Sequence, residues 1–375
     1  MQQLTQHGAP RPRDRRGMRT GFTTGACATA AAAAAARMLL LGEPATSVEI
    51  TLPAGRTVTF GVHTATRGER WAECAVIKDA GDDPDVTHGA EIHARLERNA
   101  GRGVTLAAGA GVGTVTRPGL GLEVGGPAIN PVPRRMITEH VMRVAVEAGY
   151  DGGLKATISI PNGAELAKRT LNGRLGIVGG LSILGTTGVV LPYSTAAWRA
   201  SVEQAIDVAV ANGQRHVVLS TGGRSEQFAQ RLIDLPEVAF VEMGEFTGHC
   251  LKRCRRLGVE RVTLAGMIGK MSKIAQGHFM THVAGNQVDP AFLADLAREV
   301  GATEAIASEI AAANTARHVQ EIALQEGLRG LFDRVCEMVC ERSAALTGGT
   351  LALRCLLFDF DGTTLGEASL DRTAA

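Results

Sequence analysis

The chain has 375 residues, 45% hydrophobic, 21% charged and 4% aromatic, with a formal net charge of +1. That length favours two domains with sizeable cores, and the near-neutral balance removes any general electrostatic case for nucleic acid. So few aromatics argue against a stacking platform for single strands, and no stretch approaches the ~18 apolar residues of a transmembrane helix.

Of the 39 basic residues 33 are arginine, which a GC-rich genome accounts for without any anionic ligand. The seven cysteines are odd in number and scattered, as in a reducing compartment, so a cytoplasmic location is expected. Arg11, Arg13, Arg15 and Arg16 precede the alanine run 30–36 and superficially resemble a twin-arginine export signal. Gly21-Phe22-Thr23-Thr24-Gly25 separates the basic and apolar parts and Arg37 cuts the latter, so residues 1–16 are expected to form a disordered basic tail.

Residues 20–41 read as a turn and then a helix, with Thr23 or Thr24 as N-cap and an alanine face that lets another backbone approach. Strands are expected at 48–52 and 57–62, around the hairpin signal Pro53-Ala54-Gly55, and at 72–77, 91–96, 104–106 and 156–160. Between two of these, residues 78–89 hold Lys78, Asp79, Asp82, Asp83, Asp85 and His88. Pro84 interrupts any EF-hand spacing. An active-site loop and a turn whose aspartates bond their own backbone both fit; Lys78 and His88 favour the first.

The stretch Gly109-Ala110-Gly111-Val112-Gly113 mimics a dinucleotide fingerprint, but a strand and turn follow it instead of a helix, so a glycine hairpin is expected. Pro127, Pro131 and Pro133 make residues 124–137 a stiff loop, neither helix nor central strand, presenting Asn130, Arg134 and Arg135. A helix is expected from 137 to 148, ended by Gly149. The acidic and proline loops are expected to face each other across a substrate cleft. Together these elements predict a mixed α+β layered domain over 17–191.

The second half alternates: helix 196–211, strand 216–220, helix 225–233, strand 238–243, helix 247–257, strand 262–265, then helices from Pro290. This rhythm predicts an α/β, Rossmann-like parallel-sheet domain over 192–375, with a terminal strand. Thr221-Gly222-Gly223-Arg224-Ser225, between strand and helix, is the leading cofactor segment, and Glu242 and Glu245 follow at the end of the next strand, where an acid suits a ribose diol. A plain chain-reversal turn fits those glycines equally well. Gly185-Thr186-Thr187-Gly188 is the next cofactor candidate.

Cys250/Cys254 and Cys336/Cys340 lack further ligands nearby and are read as core, and His278/His282 lack the acid of a zincin motif, so no metal ligands are assigned. Asp359-Phe360-Asp361-Gly362-Thr363 mimics a dehalogenase-type nucleophile motif, but that fold needs its sheet after this strand, so a terminal strand and turn is expected.

Seven segments carry a resemblance: 19–32 (RTGFTTGACATAAA), 78–89 (KDAGDDPDVTHG), 111–120 (GVGTVTRPGL), 126–134 (GPAINPVPR), 160–170 (IPNGAELAKRT), 174–190 (RLGIVGGLSILGTTGVV) and 266–277 (GMIGKMSKIAQG). In this order they closely resemble the cobalt-precorrin-5B (C1)-methyltransferase family of anaerobic cobalamin biosynthesis. Two places depart from the family pattern: Ala110, where an acidic residue is usual, and Val283-Ala284-Gly285-Asn286.

The resemblance implies methyl transfer from S-adenosylmethionine to ring carbon C1, giving cobalt-precorrin-6A, with the cobalt arriving inside the substrate. Positioning dominates such a transfer. The carboxylate-rich macrocycle suits Arg134, Arg135, Lys270 and Lys273 as positioning cations; Lys78, Asp85 and Asn130 are further expected substrate-binding residues, and His88, Asp82 or Asp83 a base near C1. Homo-oligomerisation and transient contacts with other corrin-pathway enzymes are further expectations. Two rival classes are a non-catalytic tetrapyrrole carrier and a phosphate- or nucleotide-handling enzyme using residues 21–27 as an anion-binding helix N-terminus.

Overall fold

Thirteen of the seventeen residues in the helix Thr24–Leu40 are alanine, leucine, methionine or cysteine, and its alanines are almost completely buried. In the computed structural model, which describes residues 14, 16–281 and 287–372, the chain forms two compact units, 1–195 and 196–375. The basic-tail arginines Arg11, Arg13 and Arg15, together with His282 and the divergent Val283–Asn286, lie outside the described residues.

In the first unit the alanine helix lies on a five-stranded sheet ordered Thr64–Arg67, Trp71–Ile77, Glu91–Asn99, Gly153–Ser159, Gly103–Ala108. All its pairings are antiparallel except the last. Small side chains let the helix approach closely while Ala72, Cys74, Ile92, Ala94 and Leu96 alternate inward to meet it. Thr23 caps the helix by accepting from the Ala26 amide at 3.2 Å. The hairpin Ser47–Thr51 and Thr57–Gly61 forms as expected.

One expectation about this unit is corrected. The proline-rich stretch is not a loop throughout: the helix Pro131–Glu147 begins inside it, with Asn130 at its N-cap. Pro131 and Pro133 occupy its first turn, where the missing amide would have had no intrahelical partner and the fixed φ suits the helix. Arg134 and Arg135 therefore ride on a helix. The acidic loop packs against Arg19–Gly21, and Pro133 packs 2.5 Å from a Cβ placed on Gly25, so the segment 19–25 runs between the two.

Strands of the second unit are ordered Phe240–Glu242, His216–Ser220, Arg261–Met267, Ala352–Phe358, Thr364–Leu370. The first three pairings are parallel and the last antiparallel. Val217, Leu219, Val262, Leu264, Leu353, Cys355 and Leu357 point into one core, whereas Val218, Ala265, Leu356 and Phe358 point into another under the helix Gly223–Leu232. Both faces are thus covered, as a parallel sheet requires. The chain leaves strand His216–Ser220 toward one side, then crosses back to place Arg261–Met267 on the other, so the order reverses between these two strands.

Candidate functional site

At that reversal, beyond the carboxyl ends of the strands, lies a cavity of about 780 Å³. Open parallel sheets hold ligands at such switch points because the two neighbouring loops diverge there. One wall is the segment Thr221–Ser225, the turn after strand His216–Ser220. Gly222 caps the helix Gly223–Leu232 with extended backbone, and a Cβ placed on it meets nothing within 4 Å. A Cβ on Gly223 would lie 3.6 Å from the Glu242 Oε2 atom, so this carboxylate stands beside the turn. Glu245 is buried.

Met267–Lys270, where strand Arg261–Met267 gives way to the helix Ile268–Ala275, forms the second wall. Lys270 Nζ donates to the Thr221 carbonyl at 2.5 Å and lies 3.5 Å from that of Gly244, tying together the loops after two strands. Burial holds its ammonium below the usual lysine range, against the opposing pull of Glu242 and Glu245. Lys273, Thr281, Gln287, Val288, the capping segment 314–317 of the helix Ala316–Gln325, and Phe360 complete the lining. Sequence reasoning did not find Thr281, Gln287, Val288, Asn314–Arg317 or Phe360. Only the cap Thr315, whose side chain accepts from the His318 amide at 3.1 Å, carried a local signal.

The remaining predicted residues lie in the first unit. Lys78 is 1% exposed, and its Nζ donates to Asp85 Oδ2 at 2.7 Å. Burial pushes the Asp85 carboxyl up, but the Lys78 charge and hydrogen bonds from Lys78 and Thr87 outweigh it and hold it below the usual carboxylate range. This enclosed pair binds the loop together and leaves Lys78 no surface for a macrocycle, which corrects its expected role. Asp79 Oδ1 and Asp85 Oδ1 accept from the amides two residues on, of Gly81 and Thr87, the self-bonded turn chemistry that the sequence also allowed. Asp82 Oδ2 accepts from the Arg19 amide at 2.6 Å and Asp83 Oδ1 from the Tyr193 amide at 2.9 Å.

His88 differs from its neighbours. Its ring is exposed, and its Nδ1 accepts from the Ala80 amide at 3.1 Å, which leaves Nε2 as the N–H in the neutral ring. It borders a second cavity of about 250 Å³ with Glu91, Pro161 and Asn162. Gly185 and Gly188 are packing glycines: a Cβ on either would overlap or crowd Thr23 or Leu52. Thr23 donates its amide to the Gly188 carbonyl and Gly25 to that of Leu184, at 3.1 and 2.9 Å. The Gly25 amide and the capped Ala26 amide are therefore already satisfied, which removes the physical basis for an anion site at residues 21–27.

A parallel-centred sheet with a glycine-capped, cation-lined cavity over its switch point defines an α/β protein whose cavity has the size and lining of a small-ligand site. Family profiles named CbiD and CbiD, C-terminal domain, match residues 11–192 and 280–369. The chain belongs to the CbiD family. It is 48% identical to a Geobacillus kaustophilus protein over 94% of this chain and 95% of that one. It is 50% identical to one from Rubrobacter xylanophilus over 92% and 90%, and 46% identical to one from Pseudomonas syringae pv. syringae over 94% and 95%. All three relatives are named cobalt-precorrin-5B C(1)-methyltransferase. A crystal structure of a cobalamin biosynthesis protein (cbiD) from Archaeoglobus fulgidus is similar over 83% of this chain and 85% of its own, at 25% identity and TM-score 0.38.

Proposed function

We propose that this protein is a cobalt-precorrin-5B C(1)-methyltransferase, transferring the methyl group of S-adenosylmethionine to C1 of the macrocycle. The observation that carries the reading is near-full-length identity of 46–50% to relatives of that name. We read the second unit as a Rossmann-like domain over 192–375 and the first as an α+β domain over 17–191, supported by the run of parallel pairings around strand His216–Ser220.

The donor is assigned to the cavity beside Gly222 and Gly223, with Glu242, which stands behind Gly223 outside the lining, toward a ribose diol at that edge. The open space at Gly222 and the free helix N-terminus fit such a ligand. The donor supplies an electrophilic methyl on sulfonium, which needs no acid to leave. What remains for the protein is to hold the acceptor carbon in line and exclude water. Asn130, Arg134 and Arg135, grouped at one helix N-terminus, are proposed to meet macrocycle carboxylates. His88, with an exposed ring, is proposed as the base near C1, its Nδ1 exchanging the Ala80 amide for the proton it takes.

Incubation of the purified protein with methyl-labelled S-adenosylmethionine and cobalt-precorrin-5B is expected to label the macrocycle. His88→Gln is expected to lower kcat about tenfold or more, as loss of a general base does. Corrinoid binding without label transfer would instead identify a carrier and sink the enzymatic reading.

A further inference from the structure

Resting on that reading, we propose that Lys273 and Thr281 form a carboxylate-binding subsite in the wall of the second unit's cavity. Lys273 lies in the helix Ile268–Ala275 and is 6% exposed. Its Nζ donates to the Thr281 carbonyl at 3.1 Å, and among the described residues no carboxylate pairs with it. A buried ammonium with one neutral acceptor and no counter-ion is costly, and an anion arriving from the cavity relieves that cost. Thr281, 1% exposed, holds its Oγ1 buried without a hydrogen-bond partner among the described residues, in the same wall. A ligand carboxylate has acceptor positions for both the ammonium and this hydroxyl, which would donate to it.

Two of the other cations of the lining are engaged elsewhere, and the third, Arg224, is exposed rather than buried in the wall. Lys270 is bound to backbone carbonyls near Glu242 and Glu245, and Arg317 Nε donates to Glu321 at 3.0 Å. Among the described residues no aspartate or glutamate lines the cavity, while the helices Gly223–Leu232, Ile268–Ala275 and Ala316–Gln325 all begin on it. Their N-terminal dipoles add to the charge of Lys273, so the wall selects for negative charge. Two ligands of the proposed reaction carry aliphatic carboxylates: the amino-acid end of the methyl donor and the side chains of the macrocycle.

The test compares wild type with Lys273→Met and Thr281→Val. Binding of S-adenosylhomocysteine and of 5′-methylthioadenosine, the same nucleoside without the amino-acid end, is measured by calorimetry, and the KM for cobalt-precorrin-5B by methyl transfer. If the donor's carboxylate occupies the subsite, Lys273→Met weakens S-adenosylhomocysteine about tenfold to a hundredfold and leaves 5′-methylthioadenosine unchanged. If a macrocycle carboxylate does, S-adenosylhomocysteine binding holds and KM rises by a similar factor. Either result supports the subsite, and Lys273→Arg, which keeps the charge, should recover part of the loss. Folded Lys273→Met with unchanged affinities and unchanged KM overturns it. Should Lys273→Met fail to fold, unchanged values in Thr281→Val overturn it equally. Wild type that binds S-adenosylhomocysteine but transfers no methyl defeats the proposed function alone, because a loss of that affinity in Lys273→Met then still supports the subsite and an unchanged affinity overturns it. Wild type that binds neither ligand defeats both.

Discussion

His216 shows how surroundings set the charge of a single side chain. Its Nε2 lies 2.8 Å from Thr263 Oγ1, and burial, then the nearby charges of Arg261 and Arg354, push its pKa down to about 4. The folded state therefore keeps the ring neutral where the unfolded chain, titrating near 6.5, already binds a proton. Stability from this residue is full above pH 6.5 and is lost as pH falls through 6.5 toward 4. The urea midpoint is expected to fall more steeply over that range in wild type than in His216→Gln; parallel curves would remove His216 from the acid response. His140 is held neutral in a related way, with Nε2 accepting from the Thr51 amide at 3.0 Å and Nδ1 2.8 Å from the Met136 carbonyl.

Gly222 carries a prediction about binding rather than folding. Its backbone is extended and its missing side chain faces open space, so Gly222→Val is expected to fold normally. Three added carbons in the approach to the cavity should weaken S-adenosylhomocysteine binding about tenfold or more, read by calorimetry against an unchanged thermal midpoint. Unchanged affinity in the folded variant would move the donor away from this turn.

Helices and turns here depend on backbones that meet without side chains. Gly111, at φ +72°, opposes Ile160 and Gly163 so closely that any Cβ would overlap the Ile160 carbonyl. Gly163 and Gly180 in turn face the Gly111 carbonyl, so three glycines interlock segments distant in sequence. Gly111→Ala combines a left-handed conformation with a backbone clash and is expected to destabilise the first unit by about 2–4 kcal/mol, measured by urea unfolding. A cost below about 0.5 kcal/mol would mean the strands simply move apart. The turn at 109–113 is legible from its glycines, but the expected glycine hairpin does not form, because strand Gly103–Ala108 pairs with Gly153–Ser159 while Thr114–Val115 pairs with Ile177–Val178. The helix at Pro131 is not legible, because proline forbids a helix interior but not a first turn, and position within a helix cannot be read from proline alone.

Within each unit, the core follows from alternation along strands and from small residues along one helix, both of which are printed in neighbouring residues. Strands 72–77, 91–96, 216–220 and 262–265 were readable for that reason, as were the cap at Thr23 and the glycine turn at 221–223. The acidic loop was readable as chemistry but not as outcome. Four carboxylates with a lysine and a histidine suit catalysis or a self-bonded turn, and only burial of Lys78 and the amides reaching Asp79, Asp82, Asp83 and Asp85 separate their roles.

The sequence by itself determined the family, the secondary-structure rhythm and one rim of the cavity, Gly222–Gly223 with Lys270. These are encoded in motifs a few residues long. Tertiary structure alone decided that Lys273, Thr281, Asn314–Arg317 and Phe360 share that cavity. They follow different strands or cap different helices, and the sheet order that places strand Arg261–Met267 between His216–Ser220 and Ala352–Phe358 brings their ends together. No local spacing records that order, because strand pairing is settled by burial of both sheet faces across the whole unit.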